Sequence, residues 1–165
     1  MEETGETANL AVPDGSEVVF IGQIETGNPI RAFFPPGSRT PMHASGTGKA
    51  ILAALPEDRR LALLKGAGLH GFTENTHVTP RALFEDLEQT AARGWSFDRN
   101  ERYDGMSCIG AAIFNDRGEP CAGVSISGPS SRFPDARLPE FGRAVAQAAA
   151  QITHLIAGQG RDRAG

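Results

Sequence analysis

The sequence has no basic run. Its 16 Lys and Arg are outnumbered by 20 Asp and Glu, and the net charge is -4. A chain that grips nucleic acid needs a basic footprint to neutralise phosphates, so these residues are not read as a nucleic-acid reader. A local cationic pocket for a small anion is still allowed. Cysteine is scarce too: Cys108 and Cys121 are the only two, and they match no zinc spacing. Long apolar runs are missing, so no membrane span is expected. The opening MEETGETANL is acidic and polar, without the basic start and apolar stretch of a secretory signal. The simplest location for such a chain is the cytoplasm.

What is present fits one domain. The 165 residues are 39% hydrophobic, enough to bury a sizeable core. ANLAV and EVVFIGQI flank Pro13-Asp14-Gly15-Ser16, a hairpin turn. A third strand is expected at 29–34, with PPGSRTP after it as loop. Three helices follow. The first covers about 47–55, and the second runs from Pro56 to near Gly66. The third starts with Pro80 after Thr79, carries Leu83, Phe84 and Leu87 on one face, and stops at Arg93-Gly94. Strands return at 95–98, 107–114 and 120–127. From about Asp135 a last helix lines up Leu138, Phe141, Val145, Ala148, Ile152 and Leu155. Strands, helices, strands, helix is the order of an α+β domain, helices against a mostly antiparallel sheet.

The segment HASGTGKAILAAL resembles a phosphate loop at first sight. It fails the Gly-x-x-x-x-Gly-Lys-Ser/Thr pattern twice: His43 stands at the first glycine and Ala50 at the hydroxyl. Its physics survives that failure. A helix starting near Thr47 leaves free N–H groups at its first turn, Gly46 and Gly48 permit close approach, and Ser45 and Thr47 add hydroxyls. Such a turn suits a small carboxylate. The simpler reading of this stretch alone is a plain helix start, with Ser45 or Thr47 as its cap and the glycines permitting a tight turn.

The segment CIGAAIFNDRGEPCAGVSIS reads as a hairpin around NDRG. With Phe114 facing Glu119, Cys108 falls opposite Ser125 and Ala112 opposite Cys121. Alternation then sorts the side chains. Ile109, Ala111, Ile113, Ala122, Val124 and Ile126 share an aliphatic face for helices to cover. Cys108, Gly110, Ala112, Gly123, Ser125 and Ser127 share a face of small and hydroxyl groups. That face either packs a close neighbour or floors a polar pocket. The cysteines lie several rungs apart, too far for a disulfide. Ser125, Cys108 and His43 offer a nucleophile and base, but no G-x-S-x-G elbow is present, and an enzyme is not expected. His70 and His77 show no metal spacing.

Three segments in this order, PMHASGTGKAILAALPE, RGWSFDRNE and CIGAAIFNDRGEPCAGVSISGPSSRF, resemble the C-terminal effector-binding domain of the IclR family of bacterial transcriptional regulators. The likeness runs from about Thr7 to Ile156 and is strongest to the branch that represses the acetate (glyoxylate bypass) operon. It implies a sensor domain related to GAF and profilin-like folds, spanning 1–165, with a curved, mostly antiparallel sheet flanked by helices. It implies a pocket for a small carboxylate effector, a 2-oxo acid such as glyoxylate or pyruvate. Its contacts would be Gly46, Thr47, Asp98, Met106, Cys108, Ser125 and Ser127, with no metal and no cofactor. Thr47 and Met106 stand where that branch has Ala and Leu. Asp98 would accept from a gem-diol, bind in its protonated form, or only cap its loop. The family's winged helix-turn-helix does not appear in this sequence, so DNA would be met only through that missing N-terminal domain. Partners implied are the effector and further copies, as homodimer or homotetramer, with no membrane.

Overall fold

The computed structural model describes residues 1–156. The chain opens with β1 (Thr7–Asp14) and β2 (Glu17–Ile24), then β3 (Arg39–Pro41). Three helices follow: α1 (Gly46–Ala54), α2 (Glu57–Ala67) and α3 (Pro80–Arg93). Next come β4 (Ser96–Arg99), β5 (Met106–Phe114) and β6 (Pro120–Pro129), and α4 (Leu138–Leu155) closes the fold. All six strands join one sheet in the order β3-β2-β1-β6-β5-β4, with every neighbouring pair antiparallel. Two register shifts, at Leu10/Ala11 and Ile113/Phe114, add bend and twist to it. The expected α+β sensor fold is therefore present; residues 157–165 of the expected span lie outside the described residues.

The sheet has two differently covered faces. On one, Ile109, Ala111, Ile113 and Ile126 pack with Phe97, Phe141, Val145 and Ala149, so α4 covers the aliphatic face. On the other, Ala11, Val18 and Phe20 pack with Ile51, Leu52, Leu83 and Leu87 of α1 and α3.

Helix ends follow local chemistry. The Thr79 side chain accepts from the Ala82 N–H at 3.3 Å, Pro80 sits in the first turn, and Gly94 closes α3 in the left-handed region at φ 85°. Four expectations need correction. No strand forms at 29–34; the third strand is Arg39–Pro41, inside the segment read as loop. Pro56 caps α2 from outside, and Glu57 is its first residue.

The hairpin register is also displaced. Asn115 N–H donates to Glu119 O at 3.0 Å, so Asn115 and Glu119 close the turn, one residue inward of Phe114. A bulge between Ile113 and Phe114 adds one more residue. Cys108 therefore pairs with Ser127, not Ser125, and Ala112 with Gly123, not Cys121. Two residues of slip restore parity, so both faces keep their expected membership. Both cysteines are free.

The α4 stripe is rotated from expectation. Leu138, Phe141 and Val145 are buried as expected, joined by Gly142, Ala149 and Thr153, while Leu155 is 80% exposed. Gly142 lies against Trp95: a Cβ there would come 2.1 Å from the indole. The Thr153 hydroxyl accepts from the Phe114 N–H at 3.1 Å, which turns that position inward.

Candidate ligand-binding site

The site is built where α1 meets the small-residue face. Met42–Ala44 make a 3-10 turn, and Ser45 then leaves the helix path in an extended conformation. Its Oγ accepts from the Gly48 N–H at 3.0 Å. The first backbone helical bond is Lys49 N–H to Ser45 O at 2.8 Å, so the amides of Gly46 and Thr47 precede the helical ladder. Glycines let this helix end touch the sheet. A Cβ at Gly110 would lie 2.6 Å from Gly46 backbone atoms, and one at Gly123 would lie 2.5 Å from Thr47 Cγ2. Ser96 Oγ bridges the two layers by donating to Gly46 O and standing 3.3 Å from Gly110 O. The small-residue face thus divides: its glycine part seats α1, and its Cys and Ser part lies beside a cleft.

That cleft is narrow, with about 20 Å³ of free space, and is lined by Gly46, Asp98, Met106 and Cys108. Phe20, Phe34, Thr40, Arg102 and Tyr103 complete most of its wall. The other three expected site residues, Thr47, Ser125 and Ser127, are not on its wall. They are buried between α1 and the sheet, each no more than 1% exposed. Ser127 Oγ accepts from Asn9 Nδ2 at 3.2 Å. Among the described residues Thr47 Oγ1, Ser125 Oγ and Asn9 Oδ1 have no nitrogen or oxygen partner; a buried group left wholly unmatched costs about 1–3 kcal/mol. Cys108 joins the two sets: its sulfur lines the cleft and lies near the Ser125 and Ser127 hydroxyls and the Gly46 N–H.

Asp98 pairs across strands with Cys108 and is 6% exposed. Its carboxylate accepts from the Glu101 N–H at 2.7 Å, so it does cap the loop after β4. Burial, and then the neighbouring Glu101 carboxylate, push it up to about 7. Burial, and then Asp98, push the Cys108 thiol up to about 11, which disfavours a reactive thiolate. His43 is committed elsewhere, its Nε2 2.8 Å from His70 O, and burial lowers its proton affinity.

Sequence reasoning missed the role of Lys49, the lysine of the failed phosphate loop. It is fully buried, with its ammonium 2.6 Å from Asp86 Oδ2, 2.8 Å from Glu101 Oε1 and 2.5 Å from Phe97 O. Burial alone would lower its proton affinity, but Glu101 and Asp86 outweigh that and raise it. Burial would likewise raise Asp86, yet hydrogen bonds from His77 and Lys49 hold it near 2. His77, Asp86 and Glu101 also gather three potential metal-ligand atoms within 4.8 Å. Lys49 already supplies a cation to both carboxylates there. The available signal was a lone lysine heading an apolar helix.

Residues 1–154 match the family described as bacterial transcriptional regulator IclR C-terminal. The chain is 51% identical over 158 residues to the HTH-type transcriptional regulator BhcR of Paracoccus denitrificans, covering 95% of this chain and 56% of that protein. It is 44% identical over 160 residues to the acetate operon repressor of Salmonella typhimurium, covering 96% and 58%. The chain thus spans little more than half the length of these relatives. The crystal structure of the Thermotoga maritima IclR superposes with a TM-score of 0.91 at 34% identity, covering 95% of this chain and 64% of that one. Among the described residues no helix is long and apolar enough to cross a membrane.

Proposed function

The chain belongs to the IclR C-terminal family of bacterial transcriptional regulators, and from that premise we propose that it is the part of a regulator that senses a small 2-oxo acid. One observation carries this reading. Among the described residues the buried Thr47 hydroxyl has no hydrogen-bond partner and Ser125 has only the Cys108 sulfur nearby, and these two residues adjoin Gly46 and Cys108, which line the cleft with Asp98. Native folds satisfy such atoms, and a ligand that enters between α1 and the sheet would do so here.

The residues have separate tasks. The amides of Gly46 and Thr47 at the positive end of α1 receive the carboxylate. Ser125 and Ser127 donate to its oxygens, and Met106 forms an apolar wall. Asp98 decides what the other end of the ligand must be. Protonated, it donates to the oxo group of pyruvate; ionised, it accepts from the gem-diol of hydrated glyoxylate. Binding favours one of two arrangements of the regulator and so alters operator affinity, by no more than its differential affinity for the two states. Operator contact comes from a DNA-reading domain beyond this chain, in the cytoplasm, and neither catalysis nor a cofactor is part of this role.

A thermal-shift titration with glyoxylate and pyruvate tests the reading. A ligand at a hundred times its Kd adds about 2.7 kcal/mol of apparent stability. The shift should vanish in Ser125→Ala. No shift with any 2-oxo acid would refute the sensor. The exposed apolar side chains of Ile24, Ile30 and Phe33 favour a second task, contact with another copy as a homodimer or homotetramer. Light scattering of the chain alone checks that: a strict monomer at high concentration removes it.

A further inference from the structure

Arg102 is the charged group of the cleft that the small-acid reading leaves unused. It follows Glu101 in the loop after β4 and lines the cleft beside Phe34, Tyr103 and Met106. Its guanidinium carbon stands 3.9 Å from the Phe72 ring centroid and 5.0 Å from that of Tyr103. Its Nε is buried without a hydrogen-bond partner, and among the described residues no carboxylate forms an ion pair with it. Lys49, the other cation of this region, is saturated by two carboxylates and a carbonyl.

Stacking occupies the faces of a guanidinium and leaves its in-plane N–H donors free. Those donors match a carboxylate in bidentate fashion. The aromatic stacking also holds the side chain in place, so little rotamer freedom remains to be lost when an anion arrives. Asp98 and Glu101 lie close by and would repel a second anionic group, unless a cation stands where that group comes to rest. Arg102 is such a cation, and the cleft offers apolar Phe20, Phe34 and Met106 for the methylenes of a longer acid.

We infer that Arg102 is a distal anion subsite, and that the cleft prefers a 2-oxo dicarboxylate: the 2-oxo carboxylate at the start of α1, the second carboxylate on Arg102. This rests on the small-acid reading above and narrows its ligand class.

The test compares 2-oxoglutarate with 2-oxopentanoate by calorimetry, because the pair differs only in a terminal carboxylate against a methyl group. Pyruvate serves as the short reference. The wild-type chain should bind 2-oxoglutarate at least about tenfold more tightly than 2-oxopentanoate, the range of a charged hydrogen-bonded contact. In Arg102→Gln that ratio should fall to near one while the pyruvate Kd stays within about twofold. Arg102→Lys, which keeps the charge but not the fork, should retain part of the preference. Equal binding of the two five-carbon acids by the wild-type chain overturns the inference. So does a loss in Arg102→Gln that weakens all three acids alike, which is what a merely structural arginine would produce. Binding of pyruvate with neither five-carbon acid removes the distal subsite and leaves the sensor intact. Binding of no acid removes both.

Discussion

Lys49 and Thr47 stand two residues apart on α1, roughly 200° around the helix. Both bury polar atoms, and the two surroundings treat them differently. The Lys49 ammonium meets Asp86, Glu101 and the Phe97 carbonyl, from α3, the loop after β4 and β4 itself. Among the described residues the Thr47 hydroxyl has no hydrogen-bond partner, and Ser125 across from it has only the Cys108 sulfur nearby. A buried charge is tolerated only when it is matched, so the first cluster is structural: it ties three segments to one helix. A buried hydroxyl left unmatched costs less, and a fold can keep a few of them beside a cleft. Saturation on one side of α1 and vacancy of bonding on the other separate the part that holds the helix from the part proposed to hold a ligand.

The sharpest way to break this contrast is Lys49→Met. It removes the lysine from the buried Glu101 and the partly buried Asp86, leaving them only His77, and the chain should lose about 3–5 kcal/mol in urea unfolding at neutral pH. A loss below about 1 kcal/mol would mean that water already reaches the cluster. Next in size is Gly110→Ala. The new methyl meets backbone of Gly46 and Thr47 rather than flexible side chains, so α1 must lift from the sheet. The expected cost is about 1–3 kcal/mol, and 2-oxo acid binding should weaken with it. Full binding in a destabilised variant would separate the helix seat from the ligand site.

Asp98 stands between the two clusters, and its pH response sharpens the comparison. Its folded value of about 7 lies above the ordinary 3.8, so the fold prefers the protonated form. The stability this carries is complete below the ordinary value and is lost as pH rises through about 7. Asp98→Asn should therefore be more stable than the parent at pH 8, by at least about 1.4 kcal/mol, the equivalent of one pKa unit. The gain should disappear near pH 4. A difference that is flat with pH would show that Asp98 titrates like an exposed acid. The smallest effect belongs to Thr47→Val, which removes an unmatched hydroxyl while keeping the shape. Stability should stay level or rise by up to about 1 kcal/mol, whereas affinity for a 2-oxo acid should change measurably. Clear destabilisation would mean that the hydroxyl has a partner in solution.

Much of the fold was legible because its signals are local. Thr79, Pro80 and Gly94 bound α3 by capping chemistry that needs no distant residue. The two faces of β5 and β6 were sorted by alternation, and the sorting survived a register slip because the slip was even. Three separated motifs also identified the family without reference to any contact. Less was legible where a short signal met a long-range cause. Arg39–Pro41 is a three-residue edge strand paired to β2, too short for any pattern to show. The closing pair Asn115/Glu119 and the bulge beside it set the register, and neither is visible in alternation. The α4 stripe turned because Gly142 accepts the Trp95 ring, a contact between elements far apart in the chain.

The candidate site divides in the same manner. The turn at Ser45 to Gly48 and the small face of β5 and β6 could be read directly, since spacing alone places them. Residue order by itself determined the helix ends, the faces of the strands and the family, because caps, alternation and motifs act over a few residues. Only the tertiary structure decided which buried polar groups are satisfied. Lys49 finds partners 37 and 52 residues away, while among the described residues the Thr47 hydroxyl finds none, Ser125 has the Cys108 sulfur and Arg102 lies over aromatic rings. A hydrogen bond forms only over about 3 Å, and which groups come that close is settled when distant segments pack.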